Sequence, residues 1–160
     1  MSTQPGFSSA RVDFGIVVSD IEKAAAFYKG IGFKEVEGFS VPAEMGEKSG
    51  LTDKGKPFDV RIFQLGDGGD ATNVKIMQFR GTASQRPDNT FIHSGLGIRY
   101  LTLYVDDTDV VLERARRAGA APLAEGPYKL PAGFGDNTWL TCIRDPDGNI
   151  IELVGPRNKA

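Results

Sequence analysis

Residues 144–156 read RDPDGNIIELVGP. A charged turn, Asp145 to Asn149, runs straight into a short apolar strand, and one carboxylate, Glu152, stands inside that strand among Ile150, Ile151, Leu153 and Val154. Aspartate and asparagine satisfy nearby backbone N–H groups, and glycine accepts a positive φ, so the segment before Ile150 is a hairpin turn. Side chains alternate along a strand, so Glu152 shares a face with Ile150 and Val154. It is either a ligand or base turned toward a cavity, or a solvated side chain on an alternating strand.

That strand closes a unit that occurs twice. Residues 12–36, VDFGIVVSDIEKAAAFYKGIGFKEV, align with residues 99–123, RYLTLYVDDTDVVLERARRAGAAPL, so that Asp20 falls on Asp107 and Gly32 on Gly119. Each copy opens with alternation, which predicts a strand: Phe14, Ile16 and Val18 share one face, and Leu101, Leu103 and Val105 the matching face. A helix follows. Ser19 or Asp20 can cap the first by accepting orphan backbone N–H bonds, and Asp106 or Asp107 the second. Ile21, Ala24, Ala25 and Tyr28 recur at helical spacing, as do Val110, Val111, Ala115 and Ala118. Gly32 and Gly119 suit the helix exits, where a left-handed residue is needed.

Three strand signals follow each helix. The first copy offers KEVEGF (34–39), DVRIFQL (59–65) and NVKIMQF (73–79); the second offers APLAEG (121–126), TWLTCIR (138–144) and IIELV (150–154). The fold class is therefore α+β, with two βαβββ modules whose curved mixed sheets pair around a cleft. A ferredoxin-like fold with two βαβ units fits less well, because it uses fewer strands after each helix. Residues 1–10 read as a disordered arm. Residues 11–160 form one domain: module one at about 11–81, a linker at about 82–96, and module two at about 97–156. The first copy carries roughly ten extra residues within 40–57.

Composition limits the function classes. The chain has 160 residues, 25% of them charged, with a formal net charge of −2. That near-balance gives no electrostatic case for nucleic acid or an anionic membrane. No apolar run approaches the ~20 residues of a membrane span, and MSTQPGFSSA lacks the basic start and apolar core of a signal peptide. The single cysteine, Cys142, excludes an intrachain disulfide and a cysteine-cluster metal site. A cytoplasmic location is expected. The single histidine, His93, lies in the linker and reads as a loop histidine.

The segments VSDIEKAAAFYKGIGFKEV, LYVDDTDVVLERARRAGA and above all RDPDGNIIELVGP resemble the vicinal oxygen chelate superfamily, which includes glyoxalase I, bleomycin resistance proteins and extradiol dioxygenases. The resemblance spans about residues 11 to 156. It implies four ligand positions on strands, occupied in the metal enzymes by His or a similar ligand, Glu, His and Glu. Here those positions carry Asp13, Lys75, Tyr100 and Glu152. Protonated lysine has no lone pair and repels a divalent ion. A tyrosine ligates only as phenolate, far from its pKa of about 10. Asp13 and Glu152 remain as ordinary ligands, enough only for a hydrated ion such as Mg²⁺. No cofactor is expected, and a divalent metal is the alternative.

Two readings of Lys75 follow. Its ammonium stands where the metal would sit, pairing with Asp13 or Glu152; or it emerges at an edge and stays solvated. Met77 follows Lys75 on the same face, and Thr102 and Tyr104 follow Tyr100, so the ligand-binding cleft comprises Asp13, Lys75, Met77, Tyr100, Thr102, Tyr104 and Glu152. The alternative for such a lining is a filled core or a dimer seam. The expected function is small-molecule binding by a homodimer, without the usual catalytic metal and with no nucleic-acid or membrane partner. The competing reading is a metal-assisted lyase, isomerase, transferase or dioxygenase, with Glu152 as base or ligand and Tyr100 as proton donor. A third is a structural dimer module with a filled cleft.

Overall fold

The computed structural model describes Gly6, residues 8–69 and residues 71–158. Most of the arm expected at 1–10 lies outside the described residues. The chain divides into two compact units. One holds the chain up to Ser84 apart from Gly30–Gly32, and the other takes Gly30–Gly32 and the chain from Gln85. Each contains one βαβββ module.

The first module runs β1 (Phe14–Val17), α1 (Ile21–Ile31), β2 (Lys34–Val41), α2 (Ala43–Lys48), β3 (Phe58–Gln64) and β4 (Asn73–Phe79). The sheet order is β1-β4-β3-β2, with β1 parallel to β4 and the other pairs antiparallel. Asp20 starts α1 as expected: its Oδ1 accepts the N–H groups of Glu22 and Lys23, both at 3.0 Å. Gly32, at φ 122°, turns the chain out of the helix. The buried stripe of α1 is Ala24, Ala25 and Tyr28, and the Tyr28 ring lies 6.1 Å from the ring of Phe63 on β3. Burying two such rings contributes about 2 kcal/mol each. A second cluster, Val41, Phe58, Val60 and Ile62, has Met77 and Phe79 packed against it, with Phe58 stacked on Phe79 at 4.6 Å.

The extra residues expected within 40–57 include the helix α2, which the sequence reading did not place. AEMGEK is too short to show helical periodicity. Tertiary packing settles it: Gly46 is buried, and a Cβ there would stand 2.6 Å from Thr52 Oγ1.

The second module runs β5 (Tyr100–Tyr104), α3 (Thr108–Arg117), β6 (Tyr128–Lys129), a short 3-10 turn (Ala132–Phe134), β7 (Trp139–Arg144) and β8 (Ile150–Gly155). Its sheet order is β5-β8-β7-β6, the same pattern as the first. Asp107 caps α3 through the N–H groups of Asp109 and Val110. Leu112, Ala115, Ile143, Ile151 and Leu153 are fully buried. Gly155 passes so close to the Val105 backbone carbonyl that no side chain fits there.

The strand expected at 121–126 is a correction. The pairing strand is the two-residue β6 at Tyr128–Lys129, opposite Leu140 and Trp139. APLAEG makes one backbone contact of this kind, Leu123 N–H to the Cys142 carbonyl. Its proline has no N–H for a ladder, and its central alanine brings little area to bury.

The turn of RDPDGN forms as its residues dictate. Asp145 Oδ1 accepts from the N–H groups of Asp147 and Asn149, both at 2.9 Å, and Oδ2 accepts from Asn149 Nδ2 at 2.8 Å. Gly148 holds φ 89°. The linker has neither helix nor strand, and arginines bind its main chain. Arg99 donates to the carbonyls of Asp88, Phe91 and Ile92, and Arg144 to those of Asn89 and Thr90. Among the described residues no helix is long and apolar enough to cross a membrane.

Candidate functional site

In the first module, Asp13 stands just before β1, and the parallel register sets Gly15 opposite Lys75. Asp13, Lys75 and Met77 therefore lie on one side of the sheet. The ion pair is made: Lys75 Nζ lies 3.0 Å from Asp13 Oδ2. Of the two partners considered for Lys75, the structure shows Asp13. The Lys75 side chain is 38% exposed, so it is neither sunk in the core nor free in solvent.

Asp13 has three further donors. Arg11 Nε is 3.2 Å from Oδ1; the Asn73 N–H donates to Oδ1 at 3.1 Å, and Asn73 Nδ2 to Oδ2 at 3.2 Å. Burial alone would raise the pKa of this carboxyl, but the hydrogen bonds from Lys75 and Asn73 and the Lys75 charge hold it below its ordinary range. Asn73 and Arg11 were not among the expected site residues. The two-residue period carries the signal for both, since Asn73 precedes Lys75 by two and Arg11 precedes Asp13 by two.

Met77 turns its terminal methyl toward Gly15, where a Cβ would meet it at 2.9 Å. It also packs against the Phe58 cluster, so part of this face is filled with the module's own side chains.

In the second module, β5 and β8 run parallel with Thr102 paired to Glu152, and β7 adds Cys142 on the other side of Glu152. Thr102 Oγ1 donates to Glu152 Oε2 at 2.7 Å. Among the described residues no lysine or arginine forms an ion pair with this half-buried carboxylate. Tyr100 and Tyr104 flank Thr102 on the same strand face and are 45% and 83% exposed. The strand that looked anomalous for carrying a glutamate is thus buried through Ile151 and Leu153 on one face and open on the other at Glu152. Cys142 is half-buried. Burial first, and then the negative charge of Glu152, push its thiol pKa up. His93 stacks on Phe91 with ring centroids 5.5 Å apart, a loop contact.

These donors do not suit a divalent cation. At Asp13 the ion would have to displace Lys75 and Arg11, and Lys75 has no lone pair to give. Among the described residues no group of three His, Cys, Asp or Glu side chains is gathered as a metal site.

The family model for the glyoxalase/bleomycin resistance protein/dioxygenase superfamily matches residues 13–136. No curated protein matches the chain. Among solved structures, a glyoxalase family protein from Bacillus cereus superposes with a TM-score of 0.76 at 20% identity, covering 98% of this chain and 100% of that one. A glyoxalase/bleomycin resistance protein/dioxygenase domain from Frankia sp. gives 0.60 at 19% identity, covering 97% and 100%. A glyoxalase I mutant from Zea mays gives 0.66 at 18% identity, and this chain spans 44% of that longer protein. At such identities the structures speak for the fold alone. With most of its length matched by the family model and two βαβββ modules in place, the chain belongs to the glyoxalase/bleomycin resistance protein/dioxygenase superfamily, the vicinal oxygen chelate proteins.

Proposed function

We propose that the chain binds a small organic molecule on the β5–β8–β7 face of its second module, without the divalent metal of the superfamily's enzymes. The observation that carries this is Glu152: a half-buried carboxylate whose side-chain partner among the described residues is Thr102, set on a face of exposed tyrosines. Its free lone pairs accept a ligand N–H or O–H group, and Tyr100 and Tyr104 supply rings for an apolar body. Mixed apolar and polar linings of this kind are what small-molecule sites use. The metal-free part of the reading is supported by Lys75 and Arg11 at Asp13. A homodimer goes with it: β5 is the terminal strand of its sheet, and Leu96 and Ile98 just before it are exposed.

The test is a thermal-shift screen of small organic compounds, with hits repeated in chelator and on Glu152→Gln and Tyr104→Ala. Binding that survives chelator and is weakened in both variants supports the proposal. Binding that needs added metal, or a stoichiometric transition metal in untagged purified protein, overturns its metal-free part. Turnover of a hit, lost in Glu152→Gln and Tyr100→Phe, would replace binding by catalysis. Sedimentation velocity reads the dimer.

A further inference from the structure

Asp13 faces more positive charge than it can neutralise. Arg11 and Lys75 both lie against its carboxylate, which gives these three side chains a net charge of +1, and among the described residues neither cation pairs with another carboxylate. Elsewhere the balance is reversed: Arg61 is held by both Glu35 and Glu22. The Asp13 carboxylate is 16% exposed, whereas Arg11 and Lys75 are 37% and 38% exposed, so the uncompensated charge is the accessible part. The carboxylate already takes two hydrogen bonds from Asn73 as well as the two cations, and it has little left to accept with. The cations do have donors left. An ammonium carries three N–H bonds and a guanidinium five. Lys75 spends one on Asp13, and Arg11 uses Nε there and Nη1 on the Gly69 carbonyl.

We propose that Arg11 and Lys75 form an oxyanion-binding subsite, taking the carboxylate or phosphate group of a small molecule, with Asp13 fixing the spacing of the two cations. Charge-assisted hydrogen bonds from both side chains hold the anion. The Met77 methyl over Gly15 gives an apolar neighbour for the rest of the molecule. The subsite lies in the first module and needs nothing of the Glu152 face.

The experiment is an amide NMR titration of the whole chain with benzoate, with inorganic phosphate, and with neutral benzamide. Benzoate or phosphate is expected to shift the amides of Gly15 and residues 73–77, and benzamide to leave them in place. Response to benzoate alone assigns an organic carboxylate, and response to phosphate alone assigns a phosphate group. Lys75→Gln and Arg11→Gln each weaken binding about tenfold, while Lys75→Arg retains it. Spectral dispersion shows directly that each variant folds. Unchanged affinity in Lys75→Gln, an equal response to benzamide, or no shift at these amides overturns the proposal. Shifts confined to 100–104 and 150–154 would overturn it while leaving the Glu152 reading intact.

Discussion

Thr102 gives its hydroxyl hydrogen to Glu152 at 2.7 Å, across the parallel register that places the two residues opposite one another on β5 and β8. The contact orients one carboxylate oxygen and leaves the other to solvent or ligand. Glu152→Gln keeps the shape and removes the charge. It is expected to weaken ligand binding about tenfold, with stability changed by less than ~1 kcal/mol. Thr102→Val should cost about 1 kcal/mol by removing the donor. Calorimetric titration and urea unfolding separate the two effects.

Acid should loosen the first module through Asp13. Its folded-state pKa is depressed, so its contribution is fully present above the ordinary carboxylate range and is lost as pH falls through the lowered folded value. Unfolding followed from pH ~6 to ~2 should show wild type losing about 1 kcal/mol more than Asp13→Asn. Parallel curves for the two proteins would show that Asp13 carries no such contribution.

The turn that begins at Asp145 is a folding determinant. Asp145 is 5% exposed and accepts three hydrogen bonds from Asp147 and Asn149. Asp145→Ala leaves those donors unpaired and should cost about 2–4 kcal/mol, read as a lower urea midpoint at unchanged slope. Gly155→Ala should be worse, because the new methyl would overlap the Val105 carbonyl. Expression without a cooperative thermal transition is the expected outcome.

Cys142 reports on its neighbour. Burial and the Glu152 charge disfavour its thiolate, so alkylation near neutral pH should be slow. Glu152→Gln removes the second cause and should raise the rate of iodoacetamide labelling, measured by mass spectrometry. An equal rate in both proteins would mean that burial alone governs the thiol.

The sequence reads most clearly where structure is local. Asp20 and Asp107 cap their helices as their positions before the apolar stripes require, and Asp145, Gly148 and Asn149 build the turn from their own side chains. The repeat carries the order of strands, because alternation and helical spacing recur in both copies. What escaped depends on distant partners. The strand β6 exists only because Tyr128 and Lys129 meet Leu140 and Trp139 on β7, and α2 forms where Gly46 can approach Thr52. At the candidate site, the facing of Asp13, Lys75, Thr102 and Glu152 followed from period two. The identity of each partner did not. Lys75 had two candidate carboxylates, and the register of β1 with β4 brings it to Asp13. Asn73 and Arg11 stand on the same two-residue period as Lys75 and Asp13, but that period does not say which side chains sharing a face will touch.

The arginines that tie down the linker grip only main-chain carbonyls. Every residue has a carbonyl, so these contacts tolerate any side chain there, while Asp88, Ser94 and Arg86 add side-chain anchors of their own. Ile92, Leu96 and Ile98 are exposed on that backbone, whereas Phe91 is stacked on His93. The segment is therefore a natural graft site: foreign side chains substituted at Ile92, Leu96 and Ile98 should keep the loop's path while changing what it presents to the outside.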